Sequence, residues 1–175
     1  MFDTTQAVLN NMYYQGTVQH ENMAKLKTRN YVIEMYREEV GVEFLNVQYC
    51  YRCILVFKDL LGNEVRRLVF SEAQAATLID NMSMVVYNDY IELHCLSNIL
   101  GPTINETYSI VLKAAEEHEE YHINFQILCY NNILETVQPV LTTVLTLDEL
   151  DELINMMFFV YLIDLVSDRK SIYQV

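Results

Sequence analysis

The chain has 175 residues, of which 52% are hydrophobic, and it contains only four glycines and two prolines. This length and composition suit a folded core and exclude a long flexible linker or low-complexity tract. We therefore predict a single domain over residues 1–175, or two pseudo-repeat halves, 1–89 and 90–175, that share a core.

The net charge of −13 is unevenly distributed along the chain. Residues 1–67 carry eight basic and eight acidic side chains, whereas residues 68–168 carry only Lys113 against sixteen acids. An acidic surface repels phosphate backbones and favours basic protein surfaces. We therefore expect the second half to dock on a basic protein partner. The residues assigned to this surface are Glu116, Glu117, Glu119, Glu120, Asp148, Glu149, Asp151 and Glu152.

Targeting and redox features favour a cytoplasmic setting. The first residues lack a basic region followed by an apolar run, so we expect no signal peptide. The mostly apolar stretch 153–166 is too short to span a bilayer. The four cysteines have no spacing typical of a disulfide framework. We expect a cytoplasmic protein without membrane association.

In chain order, the first segment is predicted to be helical. Asp3 and Gln6 stand in capping positions before a short apolar stripe that Gly16 can end. Residues 23–39 contain good helix formers, although residues 31–35 also alternate like a strand. We favour a helix here.

The following segment predicts a hairpin and a capped helix. Apolar residues alternate through 47–57, residues 59–63 predict a turn in which Gly62 can adopt positive φ, and residues 65–70 form the partner strand. Ser71 and Gln74 then have the spacing of a capping box. Apolar side chains at 78, 79, 82, 85 and 86 fall on one helix face.

The second half repeats this construction. Strands are predicted at 90–96, 108–113, 121–129 and 137–145, with a turn at Gly101 and an acidic or helical turn over 114–120. Pro139 indicates an edge strand or a strand start. Thr146 and Glu149 form a second capping box before another amphipathic helix.

The two capped helices match each other at an offset of 75 positions. The identical residues are Val69, Leu78, Ile79, Met82 and Val85, matched by Val144, Leu153, Ile154, Met157 and Val160. The predicted fold class is therefore α+β, with antiparallel sheet or sheets in two similar strand-plus-capped-helix halves and a helical N-terminal segment. Residues 156–163 are apolar on all sides, which predicts a homodimer that partly covers this helix.

The sharpest local motif is His118-Glu119-Glu120-Tyr121-His122, a literal HExxH. On a helix its two imidazoles could bind Zn²⁺ and Glu119 could act as a general base, so these five residues resemble a zincin-type metallopeptidase. However, His122 begins the strongest strand pattern, and strand residues i and i+4 lie about 13 Å apart. A zinc-dependent hydrolase with His118, Glu119 and His122 is therefore an alternative. We expect no metal, no cofactor and no catalytic residue.

The first hairpin supports a second alternative. Tyr49 and Tyr51 share a strand face, and exposed aromatic residues on a sheet can stack on single-stranded bases. The supporting basic residues are Arg52, Lys58, Arg66 and Arg67. Two sheet-plus-helix units in tandem resemble the architecture of Whirly-type single-stranded DNA-binding proteins. That resemblance implies single-stranded nucleic-acid binding.

The leading hypothesis at this point follows from charge. The chain has no GxSxG motif, no Walker A loop and no GxGxxG, which favours a non-enzymatic protein. A small acidic protein with few motifs suits a phage or mobile-element inhibitor of a host nucleic-acid-handling protein, acting as a nucleic-acid mimic.

Overall fold

A computed structural model describes residues 23–41, 49–87, 92–115 and 122–162. They form two antiparallel four-stranded sheets, each followed by a helix. Sheet A consists of β1 (Met23–Lys27), β2 (Tyr31–Gly41), β3 (Tyr49–Asp59) and β4 (Glu64–Ser71), and α1 (Glu72–Tyr87) follows it. Sheet B consists of β5 (Glu92–Leu100), β6 (Glu106–Ala115), β7 (His122–Asn131) and β8 (Thr136–Thr146). Helix α2 (Leu147–Met157) follows and continues as a π-helical turn, Phe158–Leu162. The prediction of an α+β fold with two similar halves is confirmed.

The predicted helix over residues 23–39 is wrong, because this stretch forms β1, a turn and most of β2. Leu26, Ile33 and Met35 are buried in the core, and charged side chains alternate with them. Helix propensities of ordinary residues differ by at most about 0.7 kcal/mol, so burial of an alternating apolar face outweighs them. The rest of the predicted N-terminal helical segment, residues 1–22, lies outside the described residues.

The predicted turn between β3 and β4 is confirmed. The Asp59 carboxylate accepts hydrogen bonds from the backbone N–H groups of Leu61 (3.0 Å) and Asn63 (2.8 Å). Gly62 has a φ of 92°, a conformation that L side chains rarely adopt. The turn therefore fixes the register of the hairpin.

Both predicted capping boxes are present. The backbone N–H of Gln74 donates to the Ser71 hydroxyl (3.1 Å), and the Ser71 N–H donates to the Gln74 side chain (2.9 Å). Thr146 and Glu149 make the same two hydrogen bonds, both 3.0 Å long. Each box satisfies N–H groups that a helix start otherwise leaves unpaired.

Three of the five residue pairs matched at an offset of 75 are buried to nearly the same extent, so the two helices are equivalent in their halves. The pairs are Leu78 and Leu153 (both 0% exposed), Ile79 and Ile154 (6% and 7%) and Met82 and Met157 (both 0%). One core cluster contains residues of both sheets and both helices.

Tyr161 joins the end of the second half to the centre of sheet A. Its ring is fully buried and packs edge-on against Phe70, with centroids 5.6 Å apart. Its hydroxyl donates to the carbonyl oxygen of Ile54 at 2.6 Å. Burial raises the pKa of Tyr161 well above its usual value, so the hydroxyl keeps the proton it donates. None of the helices in the described ranges is long and apolar enough to cross a membrane.

We predict that Thr146→Ala lowers the free energy of unfolding by about 1 kcal/mol, because it removes one half of the α2 capping box. Thr77→Ala is the matched control, since Thr77 lies on the exposed side of α1 and alanine is the better helix former. Urea denaturation should show a loss for the first variant and a gain of a few tenths of a kcal/mol for the second. Equal effects would contradict the role of the cap.

Candidate nucleic-acid interface

The basic side chains are concentrated in sheet A. Eight of the eleven Lys and Arg lie between residues 25 and 67, within the strands and turns of this sheet. Helices α1 and α2 carry none. Lys113 lies on β6, and Arg169 and Lys170 lie outside the described residues.

Strand register places four of these cations on one side of sheet A. Lys25 lies opposite Glu34, and Val56 lies between Glu34 and Arg67 in the same row. In the next row, Val32 lies between Lys27 and Lys58. Because side chains alternate across a sheet, this side faces away from the shared core. We call Lys25, Lys27, Lys58 and Arg67 the basic face.

One buried carboxylate organises the basic face. Glu34 is only 5% exposed, and its two oxygens lie 3.1 Å from Lys25 Nζ and 2.9 Å from Lys58 Nζ. Arg67 pairs with Glu64 at 2.7 Å, and exposed Lys27 makes no ion pair with the described residues. Among the described residues, four cations therefore face two carboxylates, which leaves this part of the sheet net positive.

The ion pairs shift the titration of Glu34. Burial alone would raise its pKa, but the hydrogen bonds and charges of Lys58 and Lys25 outweigh burial and hold the pKa below its ordinary value of 4.5. Its stabilising contribution is therefore present above the pKa of the unfolded chain. It is lost as the pH falls through the lower pKa of the folded state.

We predict that Glu34→Gln lowers the free energy of unfolding by about 1.5–3 kcal/mol at pH 7, because two lysines lose a charged acceptor. The difference from the unsubstituted protein should shrink as the pH falls from about 4.5, the ordinary pKa, through the lower pKa of Glu34 in the folded state. Denaturation at a series of pH values measures this. Glu64→Gln, in an exposed pair, should cost less than about 1 kcal/mol. A difference that does not shrink as the pH falls would refute the assignment.

The aromatic and basic residues predicted on the first hairpin are divided between the two sides of sheet A. Tyr51 lies on the side of core residue Cys53, and the Arg37 guanidinium lies 3.9 Å from the centroid of its ring. Tyr49 lies in β3, but its side chain is outside the described residues. One ring face of Tyr51 is thus already occupied by a cation.

The three predicted arginines are also divided. Arg66 is on the core-facing side, where its Nη1 donates to the Tyr108 hydroxyl at 3.3 Å. Arg52 is on the same side as the basic face, and its Nε donates to buried Glu38 at 3.0 Å. Arg67 belongs to the basic face. Lys25 and Lys27 are not among the predicted site residues, because the sequence predicts a helix for their segment.

The predicted acidic surface is described only on α2. Asp148, Asp151 and Glu152 are exposed there, whereas Glu149 is engaged in the capping box. Residues 116, 117, 119 and 120 lie outside the described residues. Docking of these acids on a basic protein stays a prediction.

The predicted zinc motif also lies mostly outside the described residues. His122 begins β7 and pairs with Ala115 and Thr146, whereas His118 and Glu119 are not among the described residues. In the described ranges, no three His, Cys, Asp or Glu side chains are grouped so that they could hold a metal. The zinc-dependent hydrolase stays a prediction.

No protein-family model matches the sequence, and no curated protein is significantly similar to it. Among solved structures, WHY3 from Arabidopsis thaliana is similar with a TM-score of 0.47 and 12% identity, over 86% of this chain and 94% of that chain. WHY1 from the same plant has a TM-score of 0.47 and 12% identity, over 87% and 90%. The plant transcriptional regulator PBF-2 has a TM-score of 0.46 and 9% identity, over 86% and 95%. None of them is a phage or mobile-element inhibitor, and on this finding the expectation of such an inhibitor is corrected.

Proposed function

We propose that the protein binds single-stranded nucleic acid through the basic face of sheet A. The observation that supports this most is the placement of Lys25, Lys27, Lys58 and Arg67 on one sheet side in a chain whose net charge is −13. Lysine and arginine contacts to phosphates supply sequence-independent affinity. A sheet that segregates cations in this way can follow a phosphate backbone.

The shape of the cationic surface favours a single strand. Reading a duplex through its major groove commonly uses a helix that enters the groove, and the described helices carry no Lys or Arg. The end of sheet A that carries the basic face offers instead a surface on which a flexible strand can lie, next to the buried cluster of Tyr36, Ile54 and Val56 on the same side.

The four cations are not equivalent. No described carboxylate competes with a phosphate for Lys27, whereas Lys25 and Lys58 share Glu34. Arg67 must break its ion pair with Glu64 to bind a phosphate. Lys27 therefore contributes most per side chain. The negative charge of the rest of the chain repels nucleic acid at long range, so binding is most favourable on sheet A.

We predict that a labelled single-stranded oligonucleotide binds at low salt, measured by fluorescence anisotropy. If four phosphates are contacted, log K should fall with log salt concentration with a slope of about −3. The matching duplex should bind more weakly. No binding of the single strand at low salt, or equal binding of the duplex, would contradict the proposal.

We predict that Lys27→Met makes this salt slope shallower by about 0.7, because one phosphate contact is lost. Lys113→Met is the matched control: it removes the same charge from sheet B, where Lys113 lies 4.0 Å from Glu92. Its slope should equal that of the unsubstituted protein. Equal effects of the two substitutions would show that net charge, rather than the basic face, governs binding.

We also propose that the protein forms a homodimer through the helical side of the second half. Phe158 and Phe159 of the π-helical turn are 44% and 57% exposed, and Met84 of α1, which packs against this turn, is 45% exposed. Burial of such side chains on association contributes about 1.5–3 kcal/mol each when it is complete.

We predict a dimer at micromolar concentration by size-exclusion chromatography with light scattering, and a monomer for Phe159→Ser. Leu61→Ser is the control, because Leu61 is 89% exposed but lies at the β3–β4 turn, away from the helices. A monomeric unsubstituted protein, or dissociation by Leu61→Ser, would exclude this interface.

A further inference from the structure

Arg66, like Lys27, forms no ion pair with a described carboxylate, but unlike Lys27 it contacts sheet B. It lies on the core-facing side of β4, partly exposed, and reaches towards sheet B. Its Nη1 donates to the hydroxyl of Tyr108, which is 4% exposed, at 3.3 Å. Its Nε is buried and has no hydrogen-bond acceptor among the described residues. None of the described carboxylates forms an ion pair with it.

These contacts leave the charge of the Arg66 guanidinium only partly stabilised. A guanidinium is always charged and carries five donors, and leaving a charged donor buried without an acceptor is costly. Its one hydrogen bond is slightly longer than the usual range of about 2.7–3.2 Å and goes to a neutral group. By contrast, Arg52 and Arg67 each pair with a glutamate.

We infer that Arg66 and Tyr108 form a binding site for one phosphate group, the phosphate seat, between β4 and β6. Phosphate oxygens can accept two parallel hydrogen bonds from a guanidinium, which strengthens and orients the contact. The Tyr108 oxygen accepts from Arg66, so its own proton is available to a second phosphate oxygen. The choice of a nucleic-acid phosphate rests on the proposed function.

The position of Arg66 suits a strand that is bound on the basic face. Arg66 and Arg67 are consecutive on β4, one of the two edge strands of sheet A, and their side chains lie on opposite sides of it. A strand held by Arg67 reaches Arg66 by crossing that edge. The phosphate seat therefore extends the basic face around β4.

The other titratable groups around Tyr108 are Glu106 and Cys129. Burial raises the pKa of Tyr108, and the charge of Arg66 only partly offsets this, so the phenol stays protonated at neutral pH. The Glu106 carboxylate is near enough to act on Tyr108, yet it does not pair with Arg66. Its negative charge disfavours an incoming anion.

The test uses Arg66→Met and Glu106→Gln in the full chain, with the oligonucleotide and with inorganic phosphate as separate probes. Arg66→Met should weaken oligonucleotide binding about tenfold and make the salt slope shallower by about 0.7. It should also abolish the rise in melting temperature that phosphate, compared with chloride at equal ionic strength, produces in the unsubstituted protein. Glu106→Gln should strengthen both responses.

The outcomes separate the two proposals. If Lys27→Met changes the salt slope and Arg66→Met does not, the seat is refuted and the basic face stands. If no oligonucleotide binds but phosphate stabilises only proteins that retain Arg66, the seat binds free phosphate and the proposed function fails.

Should Arg66→Met not fold, Arg66→Lys replaces it, with a smaller loss expected because only the bidentate geometry is lost and the charge is kept. An unchanged phosphate response in that variant and in Glu106→Gln would overturn the inference.

Discussion

The core shared by the two sheets determines which side chains of sheet A face away from it, and on that opposite side Tyr36, Ile54 and Val56 form a second buried cluster. Phe57 of sheet A packs against Phe125 of sheet B with ring centroids 5.6 Å apart, and Leu26 and Ile33 are buried in the same cluster. Because side chains alternate along a strand, burying these residues forces Lys25, Lys27 and Lys58 to the opposite side. A register slip of one residue would bury the cations and expose the core, so packing and the basic face are specified together.

Charge is segregated by element rather than averaged over the surface. The described cations are concentrated in sheet A, whereas α2 begins with Asp148 and Glu149, where the positive end of the helix dipole stabilises acids. The same acids therefore serve helix stability and repel phosphates from that end of the molecule. Buried Glu34 limits the net charge of the basic face while it fixes two lysines in place. Rigid positioning of this kind lowers the entropy lost on binding.

Sequence periodicity predicted most of the second half, because strict alternation and two capping boxes are local signals that tertiary contacts only reinforce. It failed at residues 23–39, where helix formers and an alternating pattern compete and only the distant partner strand β3 decides between them. That error removed Lys25 and Lys27 from the candidate site. The contact of Arg66 with Tyr108 joins residues 42 positions apart, and no spacing rule predicts it. Net charge, in turn, reports on long-range repulsion and not on which side of a sheet carries the cations.

The central claim is that nucleic acid lies on sheet A. Ultraviolet crosslinking of a bound single-stranded oligonucleotide, with the attached peptides identified by mass spectrometry, tests this claim most directly. The account predicts crosslinked peptides from β1, β3 and β4, which carry the basic face. Crosslinks confined to α2 or to the strands of sheet B would contradict it.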